Sequence, residues 1–339
     1  MPRGRLFIEH ARPERALAAG ASLVALVNAD APVAMYGATL QGESLVLGQY
    51  QRAAQCLSDR GQKSAPLRRR SGGATVLAGE GISYVALALH DRSTLMACPP
   101  QRLLNRNVRG ALQGLRLLGV PANYFGRDFL SFEARPAVHV SWDDDEHVLL
   151  ELFVSDQRSC FPEASWLGYP ERKEEALRGR APTTLLEAGA RATGLEALER
   201  VAEGYAKNFQ TEWQRESAAS LSGPDLGSDV EAPASIALHW SLPVEEAIGF
   251  VHAGVSLDRS GKFSTVRLAG DFMAHRGCAR TLERMLIGTT PTPDTVARAV
   301  DTACTQTGHD FEGVRNLKTL QEAILDAADL AKRAHEVRS

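Results

Sequence analysis

LRRRSGGATV, residues 67–76, is the segment on which the reading of this chain turns. Arg68, Arg69 and Arg70 run directly into Ser71, Gly72 and Gly73, and then into the β-forming run that opens with Ala74, Thr75 and Val76. Guanidinium groups pair well with carboxylates and phosphates, Ser71 adds a hydroxyl, and adjacent glycines let a ligand approach backbone N–H donors closely. Such a loop can hold an anionic ligand of the acyl-adenylate kind. It reads equally as a solvated basic turn before a strand, since short Gly-rich matches are weak evidence.

Outward from this loop, residues 74–90 give two apolar runs broken by AGEG, which predicts two strands and a tight connection. Upstream, LFIEH (6–10) and SLVLGQYQ (44–51) read as strands, while residues 13–28 and 52–61 read as helical. Downstream, Leu103, Leu104, Val108, Leu112, Leu115 and Leu118 recur at spacings that suit a helix packed on a sheet. FLSFEA, AVHVSW and HVLLELFV follow as strands, with WDDDEH (142–147) as a solvated acidic turn, and residues 195–213 close the region as a helix. Runs of strands with separated helices predict an α+β fold with a mixed sheet rather than a doubly wound parallel one.

From 215 to 234 the composition shifts to Ser, Gly, Pro and Asp without apolar periodicity, as in a linker. The expected organisation is therefore a domain over 1–214, a linker over 215–234 and a smaller α+β domain over 235–339. In the second unit GFVHAGVSLD and GKFSTVRLAGDF read as paired strands. Two helices and a long C-terminal amphipathic helix follow them.

The totals agree with a globular protein: 339 residues, 44% hydrophobic, 23% charged, net charge −3. That balance gives no general reason to expect nucleic-acid binding. No window matches a membrane span or a secretory leader, so the expected location is cytoplasmic. Five scattered cysteines with no CxxC pair argue against a disulfide framework or zinc ribbon, and no metal-ligand set is apparent. Trp142, Trp166 and Trp213 read as core or boundary residues.

GQYQ (48–51) followed by RRRSGGATV resembles the GRYQ and RRxSGGG pair of the lipoate–protein ligases. LGVPANYFGRDFL (118–130) is similar to that family's GRND block, and residues 261–288 resemble its accessory domain, where a strand ending in GDF precedes a helix. The likeness spans nearly the whole chain in the same order. It implies a mixed-sheet catalytic domain of the biotin/lipoate ligase type with a small accessory domain. It further implies formation of a lipoyl or octanoyl adenylate from ATP with Mg²⁺, and acyl transfer to a lysine of a lipoyl carrier domain. That carrier would belong to a 2-oxoacid dehydrogenase or be the glycine cleavage carrier protein. Carried over by position, Arg69, Arg70, Ser71, Gly72, Gly73, Thr75, Val76 and Asp128 line the acyl-adenylate pocket.

The sequence departs from the family where charge is needed most. A lysine is expected after the GRND block to stabilise the adenylate phosphate. Here the chain reads EARPAVHVSW, with no lysine between Lys63 and Lys173. Arg135 is the nearest candidate for the missing charge. The family's YHDxGN becomes LAGEGI, and Ala74 replaces the third glycine. Two alternatives therefore stand beside an active ligase: a catalytically silent binding module, and an octanoyltransferase with Cys160 as thioester nucleophile.

Overall fold

The computed structural model describes residues 2–169, 181–223, 237–306 and 309–336. Its first body contains β1 (Arg3–Ala11), α1 (Pro13–Ser22), β2 (Val33–Leu40), β3 (Glu43–Leu47), α2 (Ala53–Cys56), α3 (Asp59–Lys63), β4 (Leu67–Arg68), β5 (Val76–Gly79) and β6 (Ile82–Leu89). It continues with α4 (Leu103–Asn107), α5 (Arg109–Leu117), β7 (Asn123–Tyr124), β8 (Phe129–Phe132), β9 (Arg135–Asp144), β10 (Val148–Ser155), α6 (Leu195–Phe209) and β11 (Glu212–Arg215). Eight of these strands form one sheet in the order β11-β1-β2-β6-β10-β9-β8-β7, parallel at β11/β1/β2 and antiparallel elsewhere, while β4-β3-β5 make a separate small sheet. The fold is α+β with a mixed sheet, as the order of elements in the sequence implies.

The central strands read as near-continuous apolar runs because both faces of the sheet are covered. Successive side chains alternate faces. Val85, Leu87 and Leu89 of β6 therefore enter one core with Leu115 of α5 and Val201 and Tyr205 of α6. Tyr84, Ala86 and Ala88 enter the other, with Leu17 of α1 and Leu45 and Val46 of the small sheet.

The second body comprises β12 (His239–Trp240), β13 (Val244–Glu245), β14 (Phe250–Leu257), β15 (Phe263–Gly270), β16 (Met273–Ala274), α7 (Arg276–Leu286), α8 (Pro293–Thr305), β17 (Phe311–Glu312) and α9 (Lys318–Glu336). β14 is hydrogen-bonded to β12, β13 and β15, and α7, α8 and α9 share a core with it through Leu282, Val300, Ile324 and Val255. No helix among the described residues is long and apolar enough to cross a membrane.

Several elements differ from the sequence reading. β2 falls in a stretch that no strand expectation covered, although VAMYGATL is apolar and bounded by Pro32 and Gly42. The strand expected over 44–51 stops at Leu47, and at the next residue, Gly48, an added Cβ would lie 2.1 Å from Gly73 O, so the RRRSGG loop passes close to the backbone there. The helix expected to reach 213 ends at Phe209. Gln210 adopts φ 54°, and residues 212–215 instead add β11 to the edge of the sheet. Of the expected linker, residues 215–223 belong to the first body, with Ala218 and Leu221 buried against it, and residues 224–234 lie outside those described.

The acidic run is the largest correction. β9 continues through Asp144, and Asp143 and Asp144 are only 1% and 3% exposed, not part of a solvated turn.

Candidate functional site

The RRRSGG loop leaves β4, which pairs with β3, and is then turned back by its own arginines. Arg69 is fully buried. Its Nε donates to Ser71 Oγ (3.1 Å), Nη1 to Val46 O (3.3 Å), and Nη2 to Gly72 O (2.6 Å) and Ala74 O (2.8 Å). Burial lowers its pKa to about 10, opposed by the negative charges of Glu151 and Asp128. Arg68 donates to Gly48 O (2.8 Å) and Gln51 O (2.6 Å). Arg70 Nε meets Asp143 Oδ2 at 2.7 Å. Two arginines thus mould the loop and the third ties it to β9.

The glycines are set by what surrounds them. A Cβ on Gly72 would lie 2.4 Å from Phe272 O, so only glycine lets the second body come this close. Gly73 has φ +86°, and a Cβ there would sit 3.1 Å from Arg69 Nη2, 3.5 Å from Ser141 Cβ and 3.6 Å from His139 Nε2.

The loop's backbone donors, expected to face a ligand, are engaged by protein acceptors. Ser71 N–H donates to Glu151 Oε2 (2.7 Å), Gly72 N–H to Trp142 O (3.2 Å) and Gly73 N–H to Phe272 O (2.9 Å). Ser71 Oγ pairs with Ser141 Oγ at 2.7 Å, and Tyr84 OH donates to Glu151 Oε1 at 2.6 Å. Thr75 Oγ1 donates to Gln51 Oε1 (3.0 Å), whose amide donates in turn to Asp271 Oδ1 (2.5 Å) of the second body. Val76 opens β5 opposite Val46 and packs in the core.

Beside Gly73 stands His139, fully buried, with neither ring nitrogen hydrogen-bonded among the described residues. Its Nε2 is 4.0 Å from Asp128 Oδ2. Burial, and secondarily the charge of Arg69, hold the imidazole well below its usual pKa, so it is neutral. Glu312 enters from the second body, where its Oε2 accepts from Trp142 Nε1 at 2.7 Å. Its pKa is pushed up to about 7 by burial, with Asp310 and Asp128 adding repulsion and the Trp142 hydrogen bond opposing. Arg69, Ser71, Gly73, Asp128, His139 and Glu312 therefore form one buried polar region at the junction of the two bodies. It holds a neutral imidazole, a carboxylate that titrates near neutrality and a rigid backbone turn. Among the described residues, no group of three or more His, Cys, Asp or Glu side chains could hold a metal ion.

Two expected catalytic residues do not join it. Arg135 lies at the opposite end of β9 from Asp143, six residues before Ser141, or roughly 20 Å at strand rise. Its guanidinium binds Ala181 O (3.1 Å), Pro182 O (2.8 Å) and Glu187 (3.2 Å), away from the loop. Cys160 is fully buried. Its Sγ donates to Phe153 O (3.2 Å) and receives Ser155 Oγ (3.3 Å), and burial lifts its pKa to about 11. A protonated, inaccessible thiol is no nucleophile at neutral pH, and the cysteine-dependent reading loses its chemistry.

Sequence reasoning missed Glu151, Ser141, Asp271 and Glu312. Glu151 had a readable signal: a lone carboxylate inside the apolar run HVLLELFV is rarely buried without partners.

No protein-family model matches this sequence, and no curated protein matches it. Solved structures do. P. falciparum LipL1, solved in complex with lipoate, aligns at TM-score 0.66 and 11% identity over 95% of this chain and 99% of its own. A bipartite lipoate protein ligase of Thermoplasma acidophilum, studied with its E2 lipoyl domain, aligns at 0.54 and 12% over 65% of this chain and 91% of its own. A lipoate-protein ligase A bound with ATP aligns at 0.52 and 13% over 65% and 92%. The chain has the fold of the lipoate–protein ligases.

Proposed function

We propose that this protein is a lipoate–protein ligase-like protein that takes a lipoyl or octanoyl group at the junction around Gly73, His139 and Asp128. ATP and Mg²⁺ are its cosubstrates where it forms the adenylate. A lipoyl carrier domain, of a 2-oxoacid dehydrogenase or of the glycine cleavage system, is its macromolecular partner. The observation that carries this reading is the whole-length likeness to a structure in complex with lipoate, together with a buried imidazole beside Gly73 that has no hydrogen-bond partner among the described residues. In the ligand-bound form His139 contributes a neutral donor and acceptor, and Arg69 keeps the loop in shape.

A second reading, a module that binds without turnover, is favoured by a specific observation. The Arg69 guanidinium and the loop N–H groups already bond to protein acceptors, and neither Arg135 nor Cys160 is placed for chemistry. Incubation with ATP, Mg²⁺, lipoate or octanoate and an apo carrier domain, followed by mass spectrometry, separates the two. Acyl-AMP or modified carrier above a no-enzyme control excludes the silent module. Ligand binding without either product excludes the active ligase, and the absence of binding overturns both readings.

A further inference from the structure

Away from the loop, α7 and α8 bring two cysteines together. Cys278 lies in the first turn of α7 and Cys304 in the last turn of α8, 26 positions apart in sequence, with their sulfurs 3.6 Å apart. Cys278 is fully buried, whereas Cys304 is partly exposed. A disulfide needs its sulfurs at about 2.05 Å, so as the chain stands the pair is a dithiol whose sulfurs must approach by about 1.5 Å to bond. Cys56 and Cys160 are buried apart from this pair, and Cys98 is partly exposed.

From this geometry we infer that Cys278 and Cys304 are a redox-active dithiol that exchanges with low-molecular-weight disulfides, Cys304 attacking and Cys278 resolving. The Cys278 S–H hydrogen bond favours the Cys304 thiolate and correspondingly disfavours ionisation of Cys278, while burial opposes ionisation of both and the Asp301 and Asp310 charges oppose it at Cys304. The division of labour follows, because the accessible sulfur is the one that attacks. The Cys304 thiolate attacks one sulfur of R–S–S–R, forms a mixed disulfide and expels RS⁻. Cys278 then loses its proton to solvent and attacks the Cys304 sulfur, forming the intramolecular bond and expelling the second RS⁻. The two cysteines lose two electrons and two protons in all, and the small disulfide becomes two thiols.

The site is placed to affect the junction. Arg276, two residues before Cys278, holds Asp143 at 2.7 Å, and Asp143 holds Arg70 of the RRRSGG loop at 2.7 Å. Drawing the first turn of α7 toward α8 therefore pulls on the ion pair that ties the second body to the loop. Transient disulfides of this kind are the form expected in a reducing compartment.

The test is treatment of the full chain with glutathione disulfide, followed by intact mass and peptide mapping. The expected product is a chain two hydrogens lighter, with the Cys278 and Cys304 peptides cross-linked and released by dithiothreitol. In Cys278→Ser the reaction stops at a stable glutathione adduct on Cys304, and in Cys304→Ser Cys278 stays unmodified. A wild-type chain that accumulates the Cys304 adduct with Cys278 free, or in which Cys304 reacts no faster than Cys98, overturns the inference. The wild-type mapping decides the matter even if a variant fails to fold.

Discussion

The Asp143 carboxylate accepts from Arg276 Nε through Oδ1 at 2.7 Å and, through its other oxygen, from Arg70 at the same distance. One buried anion, 1% exposed as a side chain, thus joins the RRRSGG loop to the first helix of the second body. Removing the charge leaves two largely buried guanidinium groups without their shared partner. Asp143→Asn is expected to destabilise the chain by about 3 kcal/mol, read by urea denaturation. A double-mutant cycle with Arg276→Gln should show strong coupling, and additive effects would refute the bridge.

Arg69 presents a test of shape against charge. Lysine keeps the charge but cannot reproduce four hydrogen bonds from a planar fork. Arg69→Lys is therefore expected to cost about 2 to 4 kcal/mol and to abolish binding of lipoate or octanoate in calorimetry. Wild-type affinity in a stably folded Arg69→Lys would show that the loop's shape is not what the ligand reads.

Gly72 reports on docking of the second body. Because the opposing atoms are backbone, Phe272 O at 2.4 Å and Met273 Cα at 2.9 Å, an added methyl cannot be accommodated by a side-chain rotation. Gly72→Ala should raise deuterium uptake at residues 70–73 and 270–274 while β6 and β10 stay protected. Uniform protection would mean that the contact is softer than its geometry.

Glu312 makes stability depend on pH. Its folded pKa, about 7, lies above the ordinary 4.5, so folding favours the protonated form. That contribution is complete below about pH 4.5 and is lost as pH rises through about 7, on the order of 3 kcal/mol. Asp144 and Asp156, both pushed up to about 6 by burial, act in the same direction. In Glu312→Gln, whose amide oxygen still accepts from Trp142, the urea midpoint should fall less between pH 5 and pH 8 than in the parent. An unchanged pH dependence would place the titration elsewhere.

The strands around the loop were legible because their evidence is local. β6, β8, β9 and β10 are apolar runs with clear turn signals, and the collinear motifs carried the fold of the first body and the strand pair of the second. The first two residues of β11, Glu212 and Trp213, were read as the end of the helix because they prolong the amphipathic pattern of α6. Pairing with β1, some 200 positions away, decided otherwise.

By itself the sequence determined the α+β class and the position of the RRRSGG turn, since periodicity, glycine and charge act over a few residues. Only the tertiary structure decided which way those charges face. Arg69 turns into its own loop, Arg135 and Cys160 are spent elsewhere, and Asp143 becomes the link between the bodies. Its partners lie 73 and 133 positions away, and nothing within a few residues of an aspartate tells whether it will meet water or two arginines when the chain closes.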